Sequence, residues 1–464
     1  MSSPDSGSSA LDSPAPDSPR VGAASPSPGR ATSAEVFRVE DAAPLPAWPV
    51  TLMIVAYPLW FLLGLGGFMW VVLAAPMAAT LVRRRNLVAP KGLGLWAVFL
   101  IAVVGSALGV DSPARFSGYL LRLGYYVGAT VFLLYLLNGG RSVSVGRIVR
   151  SFTILWMCTI VGGYLALVLG EFSFRSPMFY LLPPVLLDNE LINTLVTPGF
   201  ADVQNIIGLP VPRPKAPFPY TNSWGSMVAL STPFAIIALL DRRSGLSPRL
   251  VRLALAASVV PIVVSLNRGL WLSLGLGLLY AGFRFGLAGR RGSAARLVVV
   301  ALAVAAVVAL SPLGDLFTSR LVNGHSDGDR VALATAAVEG TLERPIFGWG
   351  TPRPNESGQP SVGTHGQVWM VMFSHGFVGL TAFLGTLFTF WFRTRRQRTT
   401  SGVWAHTVLV IAAAQLPVYL MIPHALFAVM GAVALALRYQ QEDDRTDDAV
   451  GADHRSEDRA PAAL

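Results

Sequence analysis

Ser151-Phe-Thr-Ile-Leu-Trp-Met-Cys-Thr-Ile-Val-Gly-Gly-Tyr-Leu-Ala-Leu-Val-Leu169 runs nineteen residues without a charged side chain. As an α-helix it would nearly match the ~30 Å hydrocarbon thickness of a bilayer. The same pattern recurs along the chain. Twelve crossings are expected, at about 47–64, 66–82, 93–109, 119–137, 151–169 and 224–240, then 250–266, 269–287, 297–311, 367–392, 403–420 and 422–438. The chain is 53% hydrophobic and 13% charged, against about a quarter charged for a soluble domain. The expected fold is therefore an all-α integral membrane protein.

Charge sets the orientation, because short cytoplasmic loops concentrate Arg and Lys. With the N-terminus inside, the inner loops hold Arg83–Arg85, Arg141/Arg147/Arg150, Arg242/Arg243/Arg249, Arg290/Arg291/Arg296 and Arg393/Arg395/Arg396/Arg398. Between residues 46 and 439, twenty basic residues fall inside and ten outside, while eleven acids fall outside and Asp241 alone inside. An N-in/C-in topology follows, with the chain as a multi-pass membrane protein. The net charge of +10 also raises a nucleic-acid reading. It fails on distribution, since short basic clusters punctuate apolar runs and form no stripe.

Residues 1–45, with ten serines and seven prolines, read as a disordered cytoplasmic tail. Residues 440–464 read as an acidic cytoplasmic tail, and 46–439 as the membrane domain. Two long external loops remain, at about 170–223 and 312–366. In the second, Asp329 to Arg344 reads as a short amphipathic helix with Val331, Ala334, Val338 and Leu342 on one face. Asp327 or Asp329 would cap it and Pro345 would stop it.

Chemistry-bearing residues gather at the external junctions. Arg268, in Ser265-Leu-Asn-Arg-Gly269, lies between two apolar runs with almost no loop around it. It is either an anchor for an anionic head group or a snorkelling arginine at a helix end. Arg330 and Arg122 are either phosphate ligands beside Arg268 or solvated surface charges. His365, where the chain re-enters the membrane, suits a general base or a structural role. His375 is expected inside the tenth crossing, and Gly376/Gly379 have the spacing of close helix packing. Asp327-Gly-Asp329 is explained by turn and cap duty. One cysteine and six scattered histidines supply no metal motif, so no metal or cofactor is expected.

Three of these stretches resemble the O-antigen ligase and O-antigen polymerase family of bacterial membrane glycosyltransferases. The first is Ser265-Leu-Asn-Arg-Gly-Leu-Trp-Leu272. The second is Asp329-Arg-Val-Ala, followed by Glu343-Arg-Pro-Ile-Phe-Gly-Trp-Gly350. The third is His365-Gly366 and, after nine residues, Gly376-Phe-Val-Gly379. Arg213-Pro-Lys-Ala-Pro-Phe-Pro-Tyr-Thr-Asn222 is similar to a further segment of these proteins. The resemblance implies transfer of a glycan from an undecaprenyl-diphosphate carrier to an acceptor hydroxyl of a glycan or lipid, at the outer face of the bacterial inner membrane and without a metal. It implies His365 as general base and Arg268 and Arg330 as diphosphate ligands, with Arg122, Arg213, Lys215 and Asn222 as accessory residues. The family places a polar residue directly after the histidine, and Gly366 stands there instead. The rival reading, a transporter or flippase for lipid-linked oligosaccharide, would place its polar groups near mid-bilayer and show internal repeats.

Overall fold

A computed structural model describes residues 44–206, 209–310, 325–353 and 361–457. The described residues are mostly helical. The expected tail at 1–45 therefore lies almost wholly outside them.

The first two expected crossings are broken into α1 (Trp48–Ile54), α2 (Tyr57–Leu62), α3 (Met69–Val72) and α4 (Ala74–Val82). Pro58 enters at the first turn of α2, where its missing N–H costs nothing, but it could not continue α1. Gly64, at φ +75°, turns the chain beyond α2. Next come α5 (Leu93–Gly105), α6 (Pro113–Leu137) and α7 (Val145–Leu169). Ser112 caps α6 and Ser144 caps α7, each accepting from the third amide of its helix.

The connection from 170 to 220 is structured. It holds α8 (Pro177–Leu181), α9 (Pro184–Leu187), α10 (Glu190–Val196) and an antiparallel hairpin of β1 (Ala201–Ile206) and β2 (Leu209–Pro214). The hairpin departs from the all-helical expectation. Pro210, Pro212 and Pro214 alternate along β2 and have no N–H to give, so the ladder's donors in that strand are Leu209, Val211 and Arg213. Three prolines in six residues hide the strand from a reading based on propensity.

The second half contains α11 (Thr221–Leu240), α12 (Pro248–Val264), α13 (Arg268–Leu287), α14 (Arg291–Leu310), α15 (His325–Glu343), α16 (Gln367–Thr394), α17 (Thr400–Gln415) and α18 (His424–Glu457). Among the described residues, α6, α7, α11, α13 and α16 are long and apolar enough to cross a membrane. The centre is formed by α11 and the first half of α18, whose residues Ala425 to Ala436 are buried on every side. Around them, Phe152 stacks on Phe234 at 4.5 Å and Trp70 meets Phe427 at 4.6 Å with the rings tilted by 48°. By contrast, α13 presents Leu272, Leu276, Leu279, Phe283 and Leu287 outward as one exposed apolar stripe. Such a stripe fits contact with lipid. The segment from 440 onward, expected as a tail, continues α18 as helix to Glu457.

The helix junctions sort into two sets by contact. In one, Arg115 donates to the carbonyls of Trp349 (2.8 Å) and Thr351 (3.0 Å), Asn189 to that of Ala114 (2.7 Å), and Gln367 N to that of Tyr419 (2.8 Å). In the other, Arg84 donates to Asn138 O (3.0 Å), Arg243 pairs with Glu442 (2.8 Å), and Gln440 donates to Arg396 O (2.9 Å). The first set joins the junctions that the sequence assigned to the outer face, and the second joins those it assigned to the inner face.

Candidate functional site

Arg268 is the first residue of α13, reached from α12 through only Ser265, Leu266 and Asn267. Leu266 is buried at φ +47°, the one non-glycine residue with positive φ among those described. A buried leucine there costs of order 1–3 kcal/mol and persists only when its surroundings over-determine it. They do. Asn267 is buried, its Oδ1 accepts from Leu270 N (3.3 Å) and from the Tyr419 hydroxyl, and its Nδ2 donates to Thr221 O (3.3 Å). The Ser265 carbonyl accepts from Arg213 Nε at 3.4 Å. The resulting turn delivers Arg268, half-buried, at the head of its helix.

His365 stands two residues before the start of α16. Gly366 follows it at φ +137°, and a Cβ on Gly366 would stand 2.4 Å from the Pro417 carbonyl. The polar residue found at this position in the family that the sequence resembles has no room here. Polar side chains stand on either side. Gln367, fully buried, accepts from Met421 N (2.8 Å) and donates to Tyr126 Oη (3.4 Å). Before the histidine, the Thr364 hydroxyl donates to Ser361 O (2.6 Å), and its oxygen lies 3.1 Å from His365 Nδ1. A hydroxyl has one proton, so the remaining contact assigns that proton to Nδ1–H and leaves Nε2 with its lone pair. That is the tautomer a general base requires.

Tyr419 joins the two motifs, because its carbonyl accepts from Gln367 N and its hydroxyl donates to Asn267. His365 and Arg268 thus belong to one end of the bundle, held through one residue. Arg122 stands nearby on α6. Its guanidinium donates to Gly118 O (3.1 Å), its titratable neighbours are Tyr125, Tyr126, Tyr220, Arg115 and His375, and no carboxylate pairs with it among the described residues. Of the accessory residues, Lys215 is engaged by Asp202 at 2.7 Å, and Arg213 by Gln204 (2.9 Å) and the Ser265 carbonyl. These two build the turn. Asn222 is half-buried at the second position of α11. Arg330 lies in α15, but its side chain falls outside the described residues, as do those of Asp327 and Asp329.

The remaining pieces of the resembling sequence interlock. The turn after α15 inserts its backbone into a break in α16 at Gly376 (φ +67°, ψ −172°). Trp349 N donates to Phe373 O (3.0 Å), Gly350 N to Ser374 O (2.8 Å), and Phe377 N to Pro345 O (2.8 Å). Gly376 is therefore a backbone break and not a helix-packing position, while Gly379 does approach Ala102 on α5. His375 is buried, as expected, with Nδ1 2.9 Å from Ser106 Oγ. In α15, Val331, Val338 and Leu342 share one exposed face, as expected, while Leu333, Ala337 and Thr341 face the protein. Beside this outward face, a shallow cleft of about 330 Å³ is lined by Leu108, Ile346, Phe347 and three glycines, with Arg344 as its charged side chain.

Comparison with known proteins adds nothing to this geometry. The chain matches no protein-family model and no curated protein. The residues that sequence reasoning missed are Tyr419, Asn267 and Gln367. Asn267 and Gln367 lie inside or beside the stretches already singled out, whereas Tyr419 sits in an apolar run that carries no signal.

Proposed function

We propose that this chain is a metal-independent membrane glycosyltransferase of the O-antigen ligase-like kind. It would cross the inner membrane twelve times, N-in/C-in, with its site facing outside. It would move a glycan from an undecaprenyl-diphosphate carrier to an acceptor hydroxyl in surface polysaccharide assembly. The observation that carries this reading is that Tyr419 joins the turn before Arg268 to the residue two positions after His365, through Asn267 and Gln367 N.

In the proposed step, Nε2 takes the acceptor's proton as the hydroxyl oxygen attacks the anomeric carbon. The bond from that carbon to the diphosphate oxygen breaks on the opposite face, inverting the centre. Charge then develops on the departing diphosphate, and Arg268 and the unpaired Arg122 meet it from fixed positions. Arg330 joins them on the resemblance alone. The apolar cleft edged by Arg344 suits a polyprenyl chain entering from lipid. A transporter would need open polar groups at a helix break. The break at Gly376 is instead filled by backbone from residues 345–350, which favours the enzyme.

The test is glycan transfer by purified protein from an extracted undecaprenyl-diphosphate glycan pool, with chelator present. Wild type is expected to transfer, and a folded His365→Ala variant to lose about 10²–10⁴-fold, the usual contribution of a positioned base. Equal transfer by both would overturn the role of His365. No transfer by either, with the carrier crossing a liposome membrane, would make the protein a flippase.

A further inference from the structure

At the end of the bundle opposite the candidate site, a cleft of about 450 Å³ opens between the α6–α7 turn, residue 243 beyond α11, and α18. Its charged lining is Arg141, Arg243, Arg438 and Arg445 against Glu442 alone. Glu442 is already engaged by Arg243 at 2.8 Å, and Asp241 pairs with the same arginine at 2.7 Å. Arginines outnumber acids in this lining four to one.

Two of these arginines show what the excess is available for. Arg438 is half-buried and donates to the carbonyls of Leu136 (3.3 Å), Gly140 (2.9 Å) and Val143. Those acceptors are neutral, and the acid that acts on Arg438 is Glu442, which Arg243 already engages. Arg141 lines the cleft, is exposed, and makes no hydrogen bond or ion pair among the described residues. The floor is the first turn of the 25-residue α7, with Ser144, Val145 and Gly146 all lining the cleft. Ser144 Oγ is occupied by Arg147 N (3.2 Å), and the amides of Val145 and Gly146 precede the first intrahelical bond. A dipole's positive end, two amides without an intrahelical acceptor and the guanidinium groups of Arg141 and Arg438 converge on one space.

We propose that this cleft is a binding site for a phosphate-bearing anion. Its volume exceeds what a single phosphate needs and suits a diphosphate or the head group of an anionic phospholipid. The ends of α6 and α7 lie where the apolar spans stop, which is the depth of lipid phosphates. The site is separate from the proposed transferase site and does not depend on it.

Full-length protein, purified in detergent and delipidated, provides the test. Phosphatidylglycerol binding is measured by native mass spectrometry, with phosphatidylcholine as control, and pyrophosphate binding by thermal unfolding at constant ionic strength. Arg141→Ala and Arg141→Glu remove an exposed side chain that holds nothing else, so folding is preserved. Loss of a charge-assisted phosphate contact is expected to weaken binding roughly tenfold or more, with the glutamate variant weaker still. A loss confined to phosphatidylglycerol identifies a lipid head group, and a loss of the pyrophosphate-induced shift identifies a soluble anion. If the variants bind both anions as wild type does, or if phosphatidylcholine binds as phosphatidylglycerol does, the proposal is overturned.

Discussion

At the residue scale, Gly366 carries the sharpest consequence. From the sequence it is a departure from a family pattern, and it leaves the acceptor open to question. Its φ of +137° and the 2.4 Å approach of the Pro417 carbonyl make it instead a position where no side chain fits. Restoring the family's polar residue should therefore harm the protein. Gly366→Asn is expected to lower stability by about 1–3 kcal/mol through backbone strain alone, read as a fall in the thermal midpoint of detergent-purified protein. A variant as stable as wild type would show that the 365–367 turn relaxes freely. His365 and Arg268 were legible because a histidine or arginine at a membrane edge is chemically conspicuous. Tyr419 was not, since an aromatic residue in an apolar run reads as packing until its hydroxyl is placed against Asn267.

At the element scale, the break in α16 and the turn at 345–350 explain each other. Gly348, at φ +65°, would place a Cβ 2.5 Å from Phe373 O, and Gly376 would place one 2.3 Å from Ile346 O. Both glycines are needed for two backbones to exchange hydrogen bonds side by side. The turn is also held from the flank. Asp111 lies between Arg115 (2.5 Å) and Arg353, whose hydrogen bonds hold its carboxyl down at about 2. Gly376→Ala is expected to expel the turn, and hydrogen exchange should then rise at residues 345–353 while α7 and α11 keep their protection. Unchanged exchange at 345–353 would mean that the helix break does not anchor the turn. The sequence marked both segments but not their contact, because spacing along a chain does not say which glycine faces which carbonyl. The apolar face of α15 was legible as a stripe, and in a membrane protein such a stripe can face lipid as readily as the core.

For the whole molecule, helix positions were legible and helix integrity was not. Apolar runs long enough to cross are visible directly, yet 47–82 is four short helices because Pro58 and Gly64 interrupt it within otherwise apolar sequence. The alternation of junctions between two contact sets carries a strong consequence for sidedness. Every contact quoted within one set joins junctions an even number of the expected crossings apart, so on that topology fixing the side of one junction fixes the rest. The sequence assigns Arg83–Arg85 to the inside by its basic clusters. Glu171 and Asn86, both exposed, lie at opposite ends, and Cys158 is the only native thiol to be replaced. In intact cells a membrane-impermeant maleimide is expected to label a Glu171→Cys variant. It should label an Asn86→Cys variant only after lysis. Labelling of the second in intact cells, with the first protected, would invert the molecule. His365 and Arg268 would then face the cytoplasm, where a transferase for glycans displayed outside has no acceptor, and the proposed function would fall with the topology.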